Sequence, residues 1–167
     1  MKHSAAQNET FMVVAFTDEL ITPQSIQARF RVWPAHVPLV PPLRGYRLQA
    51  TQRMEDFLET NKIGPVFMRV ISRTAFGEEN GLPVSLLDAN DESKGKLNYL
   101  GNRLADAALR NGTVLANDRV REYTPHIVES SVSPLPEVGQ EIIISALSVV
   151  SFHSEQGWKQ VTKTIQL

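Results

Sequence analysis

Apolar residues recur in this chain with two different periods, and the order in which those periods alternate restricts the fold more than any other feature of the sequence. "TFMVVAFTD", from Thr10 to Asp18, is a valine- and phenylalanine-rich run closed by turn-forming residues, and it predicts a buried strand. In "ITPQSIQARFRVW" Ile26, Ala28, Phe30 and Val32 alternate with polar residues, a second strand pattern. The spacing then becomes helical: "YRLQATQRMEDFLETNK" places Leu48, Met54, Phe57 and Leu58 near helical steps and stops before Gly64-Pro65. "PVFMRVISRTAFG" and "LPVSLLDAN" return to strand character, with Gly77 and Gly81 between them predicting a hairpin. A second helical stretch, "ESKGKLNYLGNRLADAALRNG", repeats Leu97, Leu100, Leu104 and Ala108 and ends at Asn111-Gly112. After the proline-rich connector "SPLPEVG", the chain closes with "EIIISALSVVSFHSEQGWKQVTKTIQL", which predicts two strands joined through "SEQG".

This order is not a regular βαβ alternation, so the expected class is α+β with mostly antiparallel sheet and outer helices. One amphipathic helix and one histidine-bearing strand fall in each half, which suggests two pseudo-symmetric lobes with a cleft between them. At 167 residues the chain suffices for one such bilobal domain, taken as 10–167 behind a loose polar tail at 1–9. A formal net charge of -1, with 42% hydrophobic and 21% charged residues, excludes disorder and a grip on nucleic acid by bulk charge. The absence of cysteine removes disulfides, thiolate metal sites and a thiol nucleophile, and suits a cytoplasmic location. "FMVVAF" is too short for a membrane span, so no membrane association is expected.

Two histidines stand out. His36 lies in "RVWPAHVPLVPP" and His126 in "REYTPHIVES", each on a strand-like stretch with a proline shortly before it, Pro34 and Pro125. On a strand, residues two apart share a face, so His36 goes with Pro38 and His126 with Val128, while Val37, Leu39 and Ile127 point the other way. If the aliphatic set fills the core, both imidazoles turn to the opposite surface. A histidine on a strand can equally be a satisfied structural residue, and burial against aliphatic side chains would mark it as one.

"WPAHVPLVPP" and "PHIVES" resemble the two H-x-[ST]-x motifs of the two-histidine (2H) phosphoesterase superfamily, which includes RNA 2′,5′-ligase-like proteins and cyclic phosphodiesterases. The resemblance runs over nearly the whole chain, from "FMVVAF" through "YTP" before the second motif to the closing "GWKQVTKTIQL". It implies two lobes of antiparallel sheet whose histidines face each other across a cleft. The implied function is metal-independent acid-base catalysis on a phosphodiester or cyclic phosphate of a nucleotide or RNA end, with His36 and His126 as the catalytic pair. An imidazole titrates near neutrality, so one can take a proton from water or a ribose hydroxyl while the other gives one to the departing oxygen. Neither role can be assigned from sequence.

The motif positions that carry a hydroxyl in the family hold Pro38 and Val128 here, and neither side chain can donate. A hydrogen bond to a charged group is worth roughly 1.5–3 kcal/mol, so losing two costs about two to four decades in rate unless something replaces them. Arg44 and Arg73 are candidate replacements reaching into the cleft. Trp33, Tyr123 and Trp158 could stack on a base, with structural burial as the alternative for each. A zinc site of the two histidines with Glu122 or Glu129 has no supporting ligand spacing, and His153 and His3 have no partner in sequence, so no metal or cofactor is expected. No obligate protein partner is expected either. The rival reading is a catalytically weak or inactive member of the same fold that binds a nucleotide or RNA end.

Overall fold

A computed structural model of the chain describes residues 9–17, 29–76, 82–88, 91–110, 112–116, 125–153 and 157–167. In order these form β1 (Glu9–Phe16), β2 (Arg29–Phe30), β3 (His36–Gly45), α1 (Arg47–Asn61), β4 (Val66–Phe76), β5 (Leu82–Asp88) and α2 (Asp91–Ala108). There follow β6 (Val114–Leu115), β7 (His126–Val128), β8 (Glu141–Ile144), β9 (Ala146–His153) and β10 (Trp158–Gln166). The strands join one sheet in the order β2-β10-β9-β1-β3-β7-β5-β4-β8, with β6 also on β3. All of the pairings are antiparallel. The α+β expectation is met. The tail expected over 1–9 falls outside the described residues except for Glu9, which opens β1.

Among the described residues the sheet is two halves joined by one rung. β2, β10, β9, β1 and β3 make the first half, β7, β5, β4 and β8 the second, and across the β3–β7 seam the single register pair is His36 with Val128. The alternation of main-chain bonds explains why the seam is short. Ala35 turns its carbonyl to Thr17, beside β1, so even-numbered residues of β3 direct their main chain at β7. Likewise the Pro125 carbonyl and the Glu129 amide bond across to Leu87 and Pro83, so His126 and Val128 direct theirs at β3. The next rung belongs to Pro38, which has no N–H to donate.

Both helices pack on one face. Phe11, Val13 and Ala15 of β1, Val37 and Leu39 of β3, and Ile127 of β7 meet Ala50, Met54 and Leu58 of α1 and Leu97, Leu100, Leu104 and Ala108 of α2 in the main core. All four expected core positions of α2 are buried. In α1 the expected Leu48 is instead exposed, and Ala50 and Thr51 take the buried stripe with Met54 and Leu58. Gly101 lets α2 come down on the first motif strand, since a Cβ there would lie 2.8 Å from the Leu39 carbonyl oxygen. The Arg53 guanidinium of α1 donates to the carbonyls of Ala107, Ala108 and Arg110, at 2.7, 3.0 and 3.1 Å, and so caps the end of α2 with a cation.

The opposite face of the first half carries a smaller cluster, Met12, Val14, Val150 and Val161, with Phe16, Phe30, Trp33 and Phe152 packed on it. The C-terminal region departs from expectation: "EIIISALSVVSFH" breaks at Ser145 into β8, which pairs with β4, and β9, which pairs with β1 and β10. The chain crosses there from one half to the other. Burial records the change, with Glu141 and Ile143 exposed and Ile142 and Ile144 buried in β8, whereas the middle of β9 is buried on both faces.

Candidate active site

Cross-strand register places the two histidines on one face. His36 pairs with Phe16 and Pro38 with Val14, residues on the side away from the helices, while Val37 pairs with Ala15 of the main core. Across the seam Val128 is opposite His36, and His126, two residues before it, shares that face; Ile127 enters the main core. His36, Pro38, His126 and Val128 therefore form a quartet in which the imidazoles are diagonal neighbours, and such neighbours are about 7–8 Å apart or less.

His36 is 4% exposed. Its surroundings are both aromatic and aliphatic: the Trp33 ring centre lies 4.5 Å from its own and the Phe16 ring centre 6.4 Å, and buried Val128 is its cross-strand partner on the same face. Its Nδ1 is 2.8 Å from the Pro34 carbonyl oxygen, which can only accept, so Nδ1 carries the hydrogen. Burial pushes the imidazole down to about 4; the Pro34 bond opposes that and the charge of His126 adds to it. At neutral pH His36 is thus an uncharged ring with its lone pair on Nε2.

Ala35, the residue before it, is clamped from both sides. Thr17 donates its amide and its hydroxyl to the Ala35 carbonyl, at 3.1 and 3.3 Å, and the Ala35 amide donates to Ser133 Oγ at 2.9 Å. Neither partner is visible from the sequence. Thr17 lies at a strand end and Ser133 in a proline-rich connector, and only the fold brings them to the motif.

The other candidates are dispersed. Arg73 pairs with Ser85 and Ser85 with Ile127, which puts Arg73 on the side facing away from the imidazoles. Its Nε and Nη2 hold the two Glu129 oxygens at 2.7 Å each, and Ser85 Oγ donates to Oε1 at 3.0 Å. The arginine holds the Glu129 carboxyl below the usual carboxylate range. Arg73 is therefore not the replacement cation in the cleft that the sequence suggests. Arg44 is eight residues along β3 from His36, about 26 Å at strand rise, and pairs with Thr10 and Val114 at the far end. Trp158 pairs with His153 next to the Lys159–Phe152 rung, so it lies on the face opposite Phe152 and His36. The His153 ring stacks on it at 3.8 Å and Arg29 sits 4.4 Å from its ring centre. Of the aromatic candidates, Trp33 is the one packed on His36; Tyr123, Glu122 and His3 lie outside the described residues. No group of three or more metal-ligating side chains gathers among the described residues.

No protein-family model matches the sequence, and no curated protein does. Solved structures do match. LigT of E. coli in complex with 3′-AMP superimposes with a TM-score of 0.57 at 15% identity, over 96% of this chain and 99% of that one. The fold is that of LigT. Its complex with NADP+ gives a TM-score of 0.58 at 14% identity, again over 96% and 99% of the two chains. A crystal structure described as a phosphoesterase gives 0.56 at 14%, with the same coverage. The LigT fold thus extends over nearly the whole chain, both halves and the seam included.

Proposed function

We propose that this chain is a phosphodiesterase of the two-histidine type, acting on a phosphodiester or cyclic phosphate of a nucleotide or RNA end. The observation that carries the reading is the seam quartet, with His36 and His126 on one face beside the rung that joins the two halves. The LigT fold agrees with it, as do the 3′-AMP, NADP+ and ATP named in the LigT complexes, each of which contains a phosphate ester.

His36 takes the role of base. Its Nδ1–H is committed to Pro34, leaving Nε2 to accept a proton from water or from a ribose hydroxyl. The oxygen so freed attacks phosphorus, the bond to the departing oxygen breaks, and His126 gives that oxygen a proton. The cycle is complete when the two imidazoles return to their starting protonation states through solvent. A ring held near 4 is a weak base, and an anionic phosphate beside it favours its protonated form, which brings it closer to neutrality during the reaction.

One observation favours a binding module instead: Pro38 and Val128 supply no side-chain donor to the phosphate oxygens. Incubation with nucleoside 2′,3′-cyclic phosphates and short cyclic-phosphate-ended RNAs, without added metal and followed by phosphorus NMR, separates the two. Ring opening that is lost in His36→Ala and in His126→Ala supports the enzyme. Turnover that survives both substitutions overturns the paired mechanism, and nucleotide binding without turnover favours the module.

A further inference from the structure

With Pro38 and Val128 in the motif positions, an anion at the seam needs a donor from elsewhere, and Lys159 is a cation that the fold brings to that face. Its register partners are Phe152 on β9 and Phe30 on β2, both part of the aromatic cluster on the imidazole side. Those two rings lie 5.8 and 5.1 Å from the Trp33 ring. The same indole has the His36 ring at 4.5 Å and the Lys159 ammonium at 5.9 Å from its centre. One ammonium proton goes to the Arg31 carbonyl, 2.9 Å away, which fixes the head and leaves two donors for a ligand. Three cations are matched by carboxylates, Arg47 by Glu9, Arg73 by Glu129 and Lys163 by Glu55; Lys159 makes no ion pair among the described residues, and its place beside Trp33 is what sets it apart from the remaining cations.

We infer that Lys159 holds a second phosphate of the substrate, next in the strand to the one between the imidazoles, so that the site takes a chain end of two or more nucleotides in preference to a mononucleotide. The inference rests on the paired-histidine reading for the position of the first phosphate. With the imidazole 4.5 Å and the ammonium 5.9 Å from the same indole centre, the two lie within about 10 Å of each other, close enough for one strand of nucleic acid to reach both, as in a basic groove that follows a single strand past an aromatic side chain.

Calorimetric binding of a nucleoside 3′-phosphate and of a dinucleotide 3′-phosphate at two salt concentrations tests it. The dinucleotide is expected to bind about tenfold more tightly, the worth of one charged hydrogen bond. Lys159→Gln should abolish that advantage, leave mononucleotide affinity unchanged and lower the salt slope by about 0.7, while Lys159→Arg retains all three properties. Equal binding of the two ligands by the native chain overturns the proposal, as does an equal loss for both in Lys159→Gln or failure of both to bind. Cyclic-phosphate turnover in His36→Ala and His126→Ala is the separate check on the paired-histidine reading, whereas the Lys159 dependence is scored by binding alone, between the two ligands.

Discussion

His36 is where burial and chemistry meet most sharply. An unfolded histidine titrates at 6.5 and this one at about 4, so between those values the unfolded chain binds more protons than the folded one. Stability therefore rises with pH across that window and is lost as pH falls from 6.5 to 4, by about 3 kcal/mol when complete. Urea denaturation between pH 7 and pH 4 should show the loss in the native chain and a smaller one in His36→Phe, which keeps an aromatic ring beside Trp33 and Phe16. In the same range the acid limb of kcat/KM should fall well below 6.5, because the base remains unprotonated there. The missing hydroxyls are also testable singly. Val128 is buried on the imidazole face, and Val128→Thr restores a donor in nearly the same shape. Turnover of a cyclic phosphate should rise about tenfold or more, since a hydrogen bond to a charged oxygen is worth roughly 1.5–3 kcal/mol. The residues themselves are legible in the sequence: both histidines, and the two positions without hydroxyls. Their supports are not, because Thr17 and Ser133 reach the motif through Ala35, and nothing in local sequence links Ser133 to a residue 98 positions earlier.

At the scale of elements, the seating of α2 on β3 decides how accurately the first motif is held. Two glycines of that helix make opposite predictions. Gly95 is exposed with nothing within 4 Å of a would-be Cβ, so Gly95→Ala should stabilise by up to about 1 kcal/mol through helix propensity. Gly101→Ala meets the Leu39 carbonyl oxygen at 2.8 Å and should cost about 1–3 kcal/mol in spite of the same propensity gain. Denaturant unfolding of the pair measures both. Arg53→Ala should cost about 2 kcal/mol by removing a cation from three carbonyls at the end of α2. Arg53→Lys should recover only part of that, because an ammonium lacks the planar fork. The existence of α2 is legible from the spacing of Leu97, Leu100, Leu104 and Ala108. The buried stripe of α1 departs from expectation at Leu48 because hydrophobicity says nothing about which way the first turn faces.

For the whole molecule, the seam is the feature with consequences. A sheet continuous through β1, β3 and β9 but joined to its second half, among the described residues, by one β3–β7 rung should open there first. Hydrogen exchange should find the Val128 amide less protected than those of Val13 and Val149 in the first half. Equal protection would mean that the halves unfold as one unit. By itself the sequence determined the local matters: the α+β class, the long strands β1, β3, β4, β5 and β10 and both helices, the face shared by each histidine and its motif partner. These follow from period and residue type, which act over a few positions. Sequence alone missed β6, read β8 and β9 as one strand, and placed a strand over "ITPQSIQARFRVW" of which the described part is the two-residue β2. Only the tertiary structure decided the long-range ones: that β7 lies against β3 so that two remote histidines become diagonal neighbours, that Ser145 marks a crossing between halves, that Arg73 is spent on Glu129 and Trp158 faces away, and that Lys159 comes to the imidazole side. Each depends on strand pairing and register between residues tens of positions apart, and a shift of one residue sends a side chain to the other face.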